Sequence, residues 1–336
     1  MPPPGTSVAG EPERQTRRDR YRGCLIGLAV GDALGAPAEF ATRDDLKVTY
    51  GPLGIVDFKP WGGHLAGAYT DDTQLALATA VGCLQAEQEW RRRGVRDPLS
   101  AVWRRYVAWY ATQSDPRRRR NPGQTCLSAL AAADERRPSP ARNDSKGCGA
   151  VMRTAPVGLA SCLGDPFAWG VKLGRLTHGH PGGYLPAGFV ARVVCDVLVG
   201  VRLATAVDDA IADLRTYADH EETLTKVEHA RALAASDVPP RAAIPALGEG
   251  WVGEEALAIA LYCALSLGGE FKPAVLAAVN HDGDSDSTAS ICGAMLGAQL
   301  GLHAIPGHWV DGVEDGAEIL RLADVMWQVL GGGDKQ

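Results

Sequence analysis

Asn280–Thr288 reads Asn-His-Asp-Gly-Asp-Ser-Asp-Ser-Thr and runs straight into the apolar segment Ala289–Leu302. Asp282, Asp284 and Asp286 alternate with small and hydroxyl residues, giving a dense set of hard oxygen donors at the mouth of a helix. Like charges a few ångströms apart raise each other's pKa, so the cluster is costly unless something positive sits beside it. A divalent cation meets that need, and an all-oxygen donor set favours Mg2+, Mn2+ or Ca2+ over zinc. An EF-hand is excluded, because Ser287 stands where its loop needs Gly and Gly293 where it needs a bidentate Glu. A plain helix cap at Asp286 or Ser287 explains one acid and leaves the others unexplained.

The helix that follows carries Gly293, Gly297 and Gly301 in a row at four-residue intervals, beside an apolar face of Ile291, Met295, Ala298 and Leu302. The same device stands near the N-terminus, where Tyr21–Leu34 has helical spacing and Gly23, Gly27, Gly31 and Gly35 form the row. Each Gly in a helix costs about 1 kcal/mol against Ala. Close approach of a second backbone offsets that cost, so the two rows predict helices that cross in the core. Alanine is abundant and alternating β-branched runs are few, which predicts an all-α chain. Further helices are expected over Leu75–Leu84, Leu99–Thr112, Gln124–Ala133, Leu185–Leu203, Ala210–Ala235, Glu254–Leu267, Lys272–Asn280 and Gly316–Leu330. Asp134–Lys146 and Ser236–Gly250 read as connections. Glycine-rich helices near both ends predict one domain over 19–332, behind a disordered Pro- and Gly-rich tail over 1–18.

With 336 residues, 46% of them apolar and 22% charged, the chain can bury a substantial core. Its eight cysteines are scattered, with no Cys-x-x-Cys pair, which points to a reducing, cytoplasmic setting and away from a disulfide framework or zinc site. No run approaches the roughly 18 uninterrupted apolar residues of a membrane span. Net charge is −6, so the basic runs Arg91–Arg93 and Arg117–Arg120 read as solvated surface, and no nucleic-acid partner is expected.

Other stretches carry chemistry-bearing residues. Asp32 interrupts the first helix near its end, and Glu39 follows it. In Tyr69-Thr70-Asp71-Asp72-Thr73, Thr70 reads as an N-cap with two acids in the first turn, an ordinary way to begin a helix when taken alone. Ser145-Lys146-Gly147-Cys148-Gly149 precedes a helical segment, and bunched small residues there leave N–H groups free for an anion or simply make a turn. His178 and His180 could ligate a metal, although no Cys or acid stands near them in sequence.

Together these motifs resemble the ADP-ribosylglycohydrolase family. The anchors occur in family order: Gly-Asp-Ala-Leu-Gly at 31–35 with Glu39, Tyr-Thr-Asp-Asp-Thr at 69–73, Gly-Cys-Gly-Ala-Val-Met-Arg at 147–153, Thr-His at 177–178, and Gly-Asp-Ser-Asp-Ser-Thr at 283–288. The resemblance implies an all-α orthogonal bundle with a binuclear metal centre, two Mg2+ ions with Mn2+ as the alternative. It implies Thr70, Asp71, Asp72, Asp284, Asp286 and Ser287 as ligands. Four aspartates would balance two divalent ions, whereas the empty site would hold four repelling carboxylates. Ser287 and the stretch Arg120–Thr125 look like those of ADP-ribosylarginine hydrolases, and the role of Asp282 is open.

The implied chemistry is hydrolysis of the N-glycosidic bond between ADP-ribose and an arginine side chain, through an oxocarbenium-like transition state. By resemblance Glu39 gates the site or handles protons, and Asp72 or Asp286 activates water. The backbone around Ser145, Lys146, Gly147, Cys148 and Gly149 would take the pyrophosphate, with Met152 and His178 lining the groove. The implied partner is an ADP-ribosylated protein, met by a monomer. Other ADP-ribose conjugates (ADP-ribosyl-serine, O-acetyl-ADP-ribose), a non-catalytic ADP-ribose-binding module, and a metal-dependent phosphohydrolase are the alternatives.

Overall fold

The glycine row near the N-terminus belongs to a helix longer than its apolar spacing suggests: α1 spans Glu11–Gly35. The structure is a computed structural model and describes residues 11–131 and 133–331. Residues 11–18, expected in a disordered tail, are therefore helical, while the rest of that tail and the domain end at 332 lie outside the described residues. Arg18 of this added stretch and Arg22 one turn further on account for the extension. Arg18 and Arg22 both make two-pronged bonds to Asp324, at 2.6–2.8 Å, on the helix that closes the chain.

The chain continues through α2 (Arg43–Tyr50), α3 (Asp71–Arg93), α4 (Pro98–Thr112) and α5 (Gln124–Ala131) to a 3₁₀ segment at Cys148–Arg153. Next come α6 (Ala155–Gly158), α7 (Pro166–Gly174), α8 (Pro181–Leu198), α9 (Leu203–Leu214), α10 (Glu221–Ala234) and α11 (Pro240–Leu247). The last are α12 (Gly253–Leu267), α13 (Phe271–Val279), α14 (Ser285–Leu300), α15 (Gly307–Gly312) and α16 (Gly316–Leu330). Among the described residues there is no strand, only isolated bridges such as Gly147 to Val252. The all-α expectation holds.

Boundaries follow local chemistry. Asp97 and Asp165 cap α4 and α7 ahead of a proline in the first turn, where a missing N–H costs nothing. The helix expected over 185–203 stops at Leu198, since Gly200 has φ 96° and the chain turns before α9. The single helix expected over 210–235 is two, broken where Asp219 takes φ 57°. The connection expected over 236–250 contains α11.

The decisive packing is α1 against α14. A Cβ on Gly27 would lie 2.3 Å from Gly293 O, and one on Gly297 would lie 1.9 Å from Gly23 O. No side chain fits there, so the two backbones meet directly, as the paired rows predict. Cys24, Leu28, Met295 and Ile291 are buried around this contact.

Candidate metal-binding active site

The starts of α3 and α14 open into one cavity. At the first, Thr70 Oγ1 accepts from Asp72 N at 3.2 Å. The buried Asp32 carboxylate of α1 clamps the same turn, accepting from Thr70 N and Thr73 N at 2.9 Å and from Thr73 Oγ1 at 2.5 Å. Asp71 N is taken by Arg120 O at 3.0 Å. Capping is thus done by Thr70 and Asp32, and the two neighbouring acids are left over. Asp71 Oδ2 and Asp72 Oδ2 are buried without a hydrogen-bond partner. An unsatisfied buried polar atom costs about 1–3 kcal/mol, and more when charged. An ordinary first turn does not account for that.

At the second start Asp284 caps α14, and the Ser287 N–H is shared between Asp284 Oδ1 at 3.3 Å and Asp286 Oδ1 at 3.0 Å. The Cys148 thiol donates to Asp284 Oδ2 at 2.7 Å, and Ser287 Oγ lies 3.6 Å from the same sulfur. Asp282 points elsewhere: it is exposed, and its Oδ1 accepts from Arg43 N at 2.6 Å, fastening α2. It does not line this cavity.

Electrostatics record how close the motifs lie. Burial raises Asp71 well above the usual carboxylate range, with Glu39 and Asp32 adding to it. Asp72 is raised by burial, then by Asp32, Asp71 and Asp284; Asp286 by burial, then by Glu39, Asp72 and Asp284. For Asp32 burial outweighs its hydrogen bonds and brings it to about 6. Glu39 is pushed up to about 8 by burial and then by Asp284, against a bond from Asn121 Nδ2 at 3.2 Å.

The cavity measures ≈ 190 Å³ and is lined by Glu39, Asp71, Asp72, Asp284, Asp286 and Ser287, together with Gly147, Cys148, Gly149, Met152 and His178. A larger hollow of ≈ 620 Å³ at Arg43, Lys47 and Arg241 has no buried carboxylate in its wall and offers no comparable chemistry. The orphaned oxygens and the hydroxyl of Ser287 suit a hard divalent cation. Among the described residues no three His, Cys, Asp or Glu side chains are gathered into a finished cage.

Three expected site residues stand back from this wall. Thr70 is fully buried, with its hydroxyl in the cap. Ser145 Oγ pairs with Thr125 Oγ1 at 2.9 Å and accepts from Gly147 N at 3.2 Å. Lys146 turns away to Glu222 at 2.8 Å and to the buried Glu254, so it presents no charge to the cavity. The histidine pair is no metal site either: His180 Nδ1 caps α8 from Gly182 N at 3.0 Å, away from His178. Sequence reading missed Trp251 at the rim, where the exposed Phe40 stacks on it at 5.8 Å and 20°. The position of Phe40 beside Glu39 was the one available signal.

Comparison with known proteins supplies a context for this geometry. The chain is 24% identical over 320 residues to the ADP-ribosyl-[dinitrogen reductase] glycohydrolase of Rhodospirillum rubrum, covering 93% of this chain and 97% of that one. It is 27% identical to the ADP-ribosylarginine hydrolase Tri1 of Pseudomonas putida, over 92% of this chain and 78% of the relative. A solved structure described as an ADP-ribosylglycohydrolase-related protein complex superposes with a TM-score of 0.72 at 29% identity, covering 94% of this chain and 99% of that one. The profile of one family spans residues 13–335, nearly the whole chain, and the protein belongs to the ADP-ribosylglycohydrolase family.

Proposed function

We propose that the protein is a metal-dependent hydrolase that removes ADP-ribose from protein side chains by cleaving the N-glycosidic bond of ADP-ribosyl-arginine. The observation that carries this reading is the shared cavity of two acid-bearing helix starts, with Asp71 Oδ2 and Asp72 Oδ2 buried and unpartnered. Two divalent cations, Mg2+ or Mn2+, held by Asp71, Asp72, Asp284, Asp286, Ser287 and the nearby Thr70, would orient the ribose hydroxyls and activate water.

The chain's own residues divide the remaining work. Asp32 holds the α3 start rigid, so the two acids it carries are presented together. Glu39, raised to about 8 before any cation is bound, can hold a proton and give it to the departing guanidine nitrogen, which leaves poorly unless protonated. Asp72 or Asp286 would accept the proton of the attacking water. Gly147, Gly149 and His178 also line the cavity and carry no negative charge, so an anionic diphosphate would lie against them. The arginine linkage is favoured by the named relative in Pseudomonas putida and by the stretch Arg120–Thr125, which looks like that of ADP-ribosylarginine hydrolases.

The test is incubation of purified protein with arginine-linked and serine-linked ADP-ribosyl peptides in Mg2+ buffer. Free ADP-ribose from the arginine peptide is expected. Release from the serine peptide alone would move the assignment to a sister specificity, and AMP as product would replace it with a phosphohydrolase.

A further inference from the structure

Arg153, the last residue of the 3₁₀ segment, is fully buried, and among the described residues it is the one Lys or Arg in the buried set. It forms no ion pair with a described carboxylate. Its guanidinium instead donates to Gly149 O at 2.8 Å, Cys126 Sγ at 3.2 Å, Leu173 O at 3.4 Å and Thr177 Oγ1 at 2.6 Å, with its carbon 4.5 Å from the Tyr106 ring centre. A buried, uncompensated cation is expensive, so its neighbours should show what it does.

Thr177 gives the answer. Its hydroxyl touches Arg153 on one side and His178 Nδ1, at 2.8 Å, on the other. Arginine can only donate, so Thr177 Oγ1 accepts there and its single hydrogen is free for the other contact. Thr177 is fully buried, and no other acceptor for that hydrogen is present among the described residues. The satisfied arrangement therefore has Thr177 donating to Nδ1, which leaves the imidazole hydrogen on Nε2. That edge of the ring faces Gly147 and Gly149, where added Cβ atoms would lie 3.3 and 3.4 Å from Nε2, and His178 lines the cavity. Burial first, then the charge of Arg153, lowers the His178 pKa to about 3, so the ring stays neutral.

We propose that Arg153 and Thr177 are positioning residues that lock His178 as its Nε2–H tautomer, making this part of the cavity a hydrogen-bond donor for an oxygen of the ligand. In the functional reading above, on which this rests, that oxygen belongs to the anionic diphosphate of ADP-ribose. A ligand offering only donors, such as a free guanidinium, gains nothing there.

The test begins with the unaltered protein. In a two-bond ¹H–¹⁵N spectrum, with the His178 signals assigned by their loss in H178Q, the pattern of a neutral Nε2–H ring is expected throughout pH 5 to 8, roughly the range where an ordinary histidine titrates. A protonated Nδ1 in that spectrum overturns the proposal, whatever the variants do. Thr177→Val keeps the shape and removes the hydroxyl; it should give a tautomer mixture and weaken ADP-ribose binding by calorimetry about tenfold, near the upper worth of one neutral hydrogen bond. Thr177→Ser should restore both. A Thr177→Val protein with an unchanged spectrum also overturns it. Because the spectrum needs no turnover, an enzyme that fails to cleave ADP-ribosyl-arginine sinks the functional reading and leaves the relay to be judged separately.

Discussion

Gly35 of α1 stands so close to Asp286 of α14 that a Cβ on the glycine would lie 2.4 Å from the Asp286 Cα. The glycine row that packs the core thus ends against a candidate metal ligand, and core packing sets the position of the site. Gly35→Ala must push the start of α14 away. Overpacking costs typically about 1–3 kcal/mol, and the obstacle here is backbone, which cannot swing aside. A loss of at least about 2 kcal/mol is expected by urea unfolding, with weaker Mg2+ binding by calorimetry. Gly269→Ala, with open space around its Cβ, is the control and should change neither.

That relationship shows which parts of the molecule were legible in the sequence. The paired glycine rows are a local pattern with a single physical reading, and α1 and α14 do meet along them; of the three alternating acids, Asp284 and Asp286 reach the cavity and Asp282 does not. The short helices α2, α7, α11 and α15 were missed, because one or two turns give too few repeats for a period to emerge. Asp32 was visible as an oddity, but its partners Thr70 and Thr73 lie on another helix. Arg153 was likewise visible only as part of a motif, since its burial depends on α7 and α4 closing over it. Lys146 was expected at the anion site as part of a backbone stretch, and nothing in the sequence signals that two glutamates from α10 and α12 draw its side chain away.

Asp32→Asn should uncouple the first acid pair from α1. The amide can accept through one oxygen only, and its NH2 group would face either Thr70 N or the N–H and hydroxyl of Thr73. Donor against donor in a buried site leaves at least one group unsatisfied, at about 1–3 kcal/mol. A lower Tm and a Mg2+ affinity reduced about tenfold are expected, the latter equivalent to about 1.4 kcal/mol. An unchanged Mg2+ affinity would show that the clamp is not needed to present Asp71 and Asp72.

Chelated protein should lose stability as pH rises from about 4 to about 8. Asp32, Glu39, Asp71, Asp72 and Asp286 all have folded pKa values above their unfolded ones, with Asp32 at about 6 and Glu39 at about 8. Between the two values the folded state holds more protons than the unfolded state, so stability falls with rising pH. Mg2+ binds the carboxylate forms and stabilises by mass action, so its gain in Tm should grow over the same window. The check is a Tm series against pH in EDTA and in Mg2+. A gap between the two curves that stays constant or narrows with pH contradicts the site.

Glu39→Gln keeps the size and the contact to Asn121 while removing the transferable proton, so it separates chemistry from binding. Loss of a general acid lowers kcat by about 10²- to 10⁴-fold. ADP-ribose itself has no leaving group to protonate, so its Kd should change less than about threefold, within half a hydrogen bond. In the unaltered enzyme the rate should fall on an alkaline limb. That limb should lie below the value of about 8 set by burial and Asp284, because bound cations favour the carboxylate. A Glu39→Gln enzyme with full kcat and the same alkaline limb would move proton donation to another group, and the acids of α3 and α14 would be the next to examine.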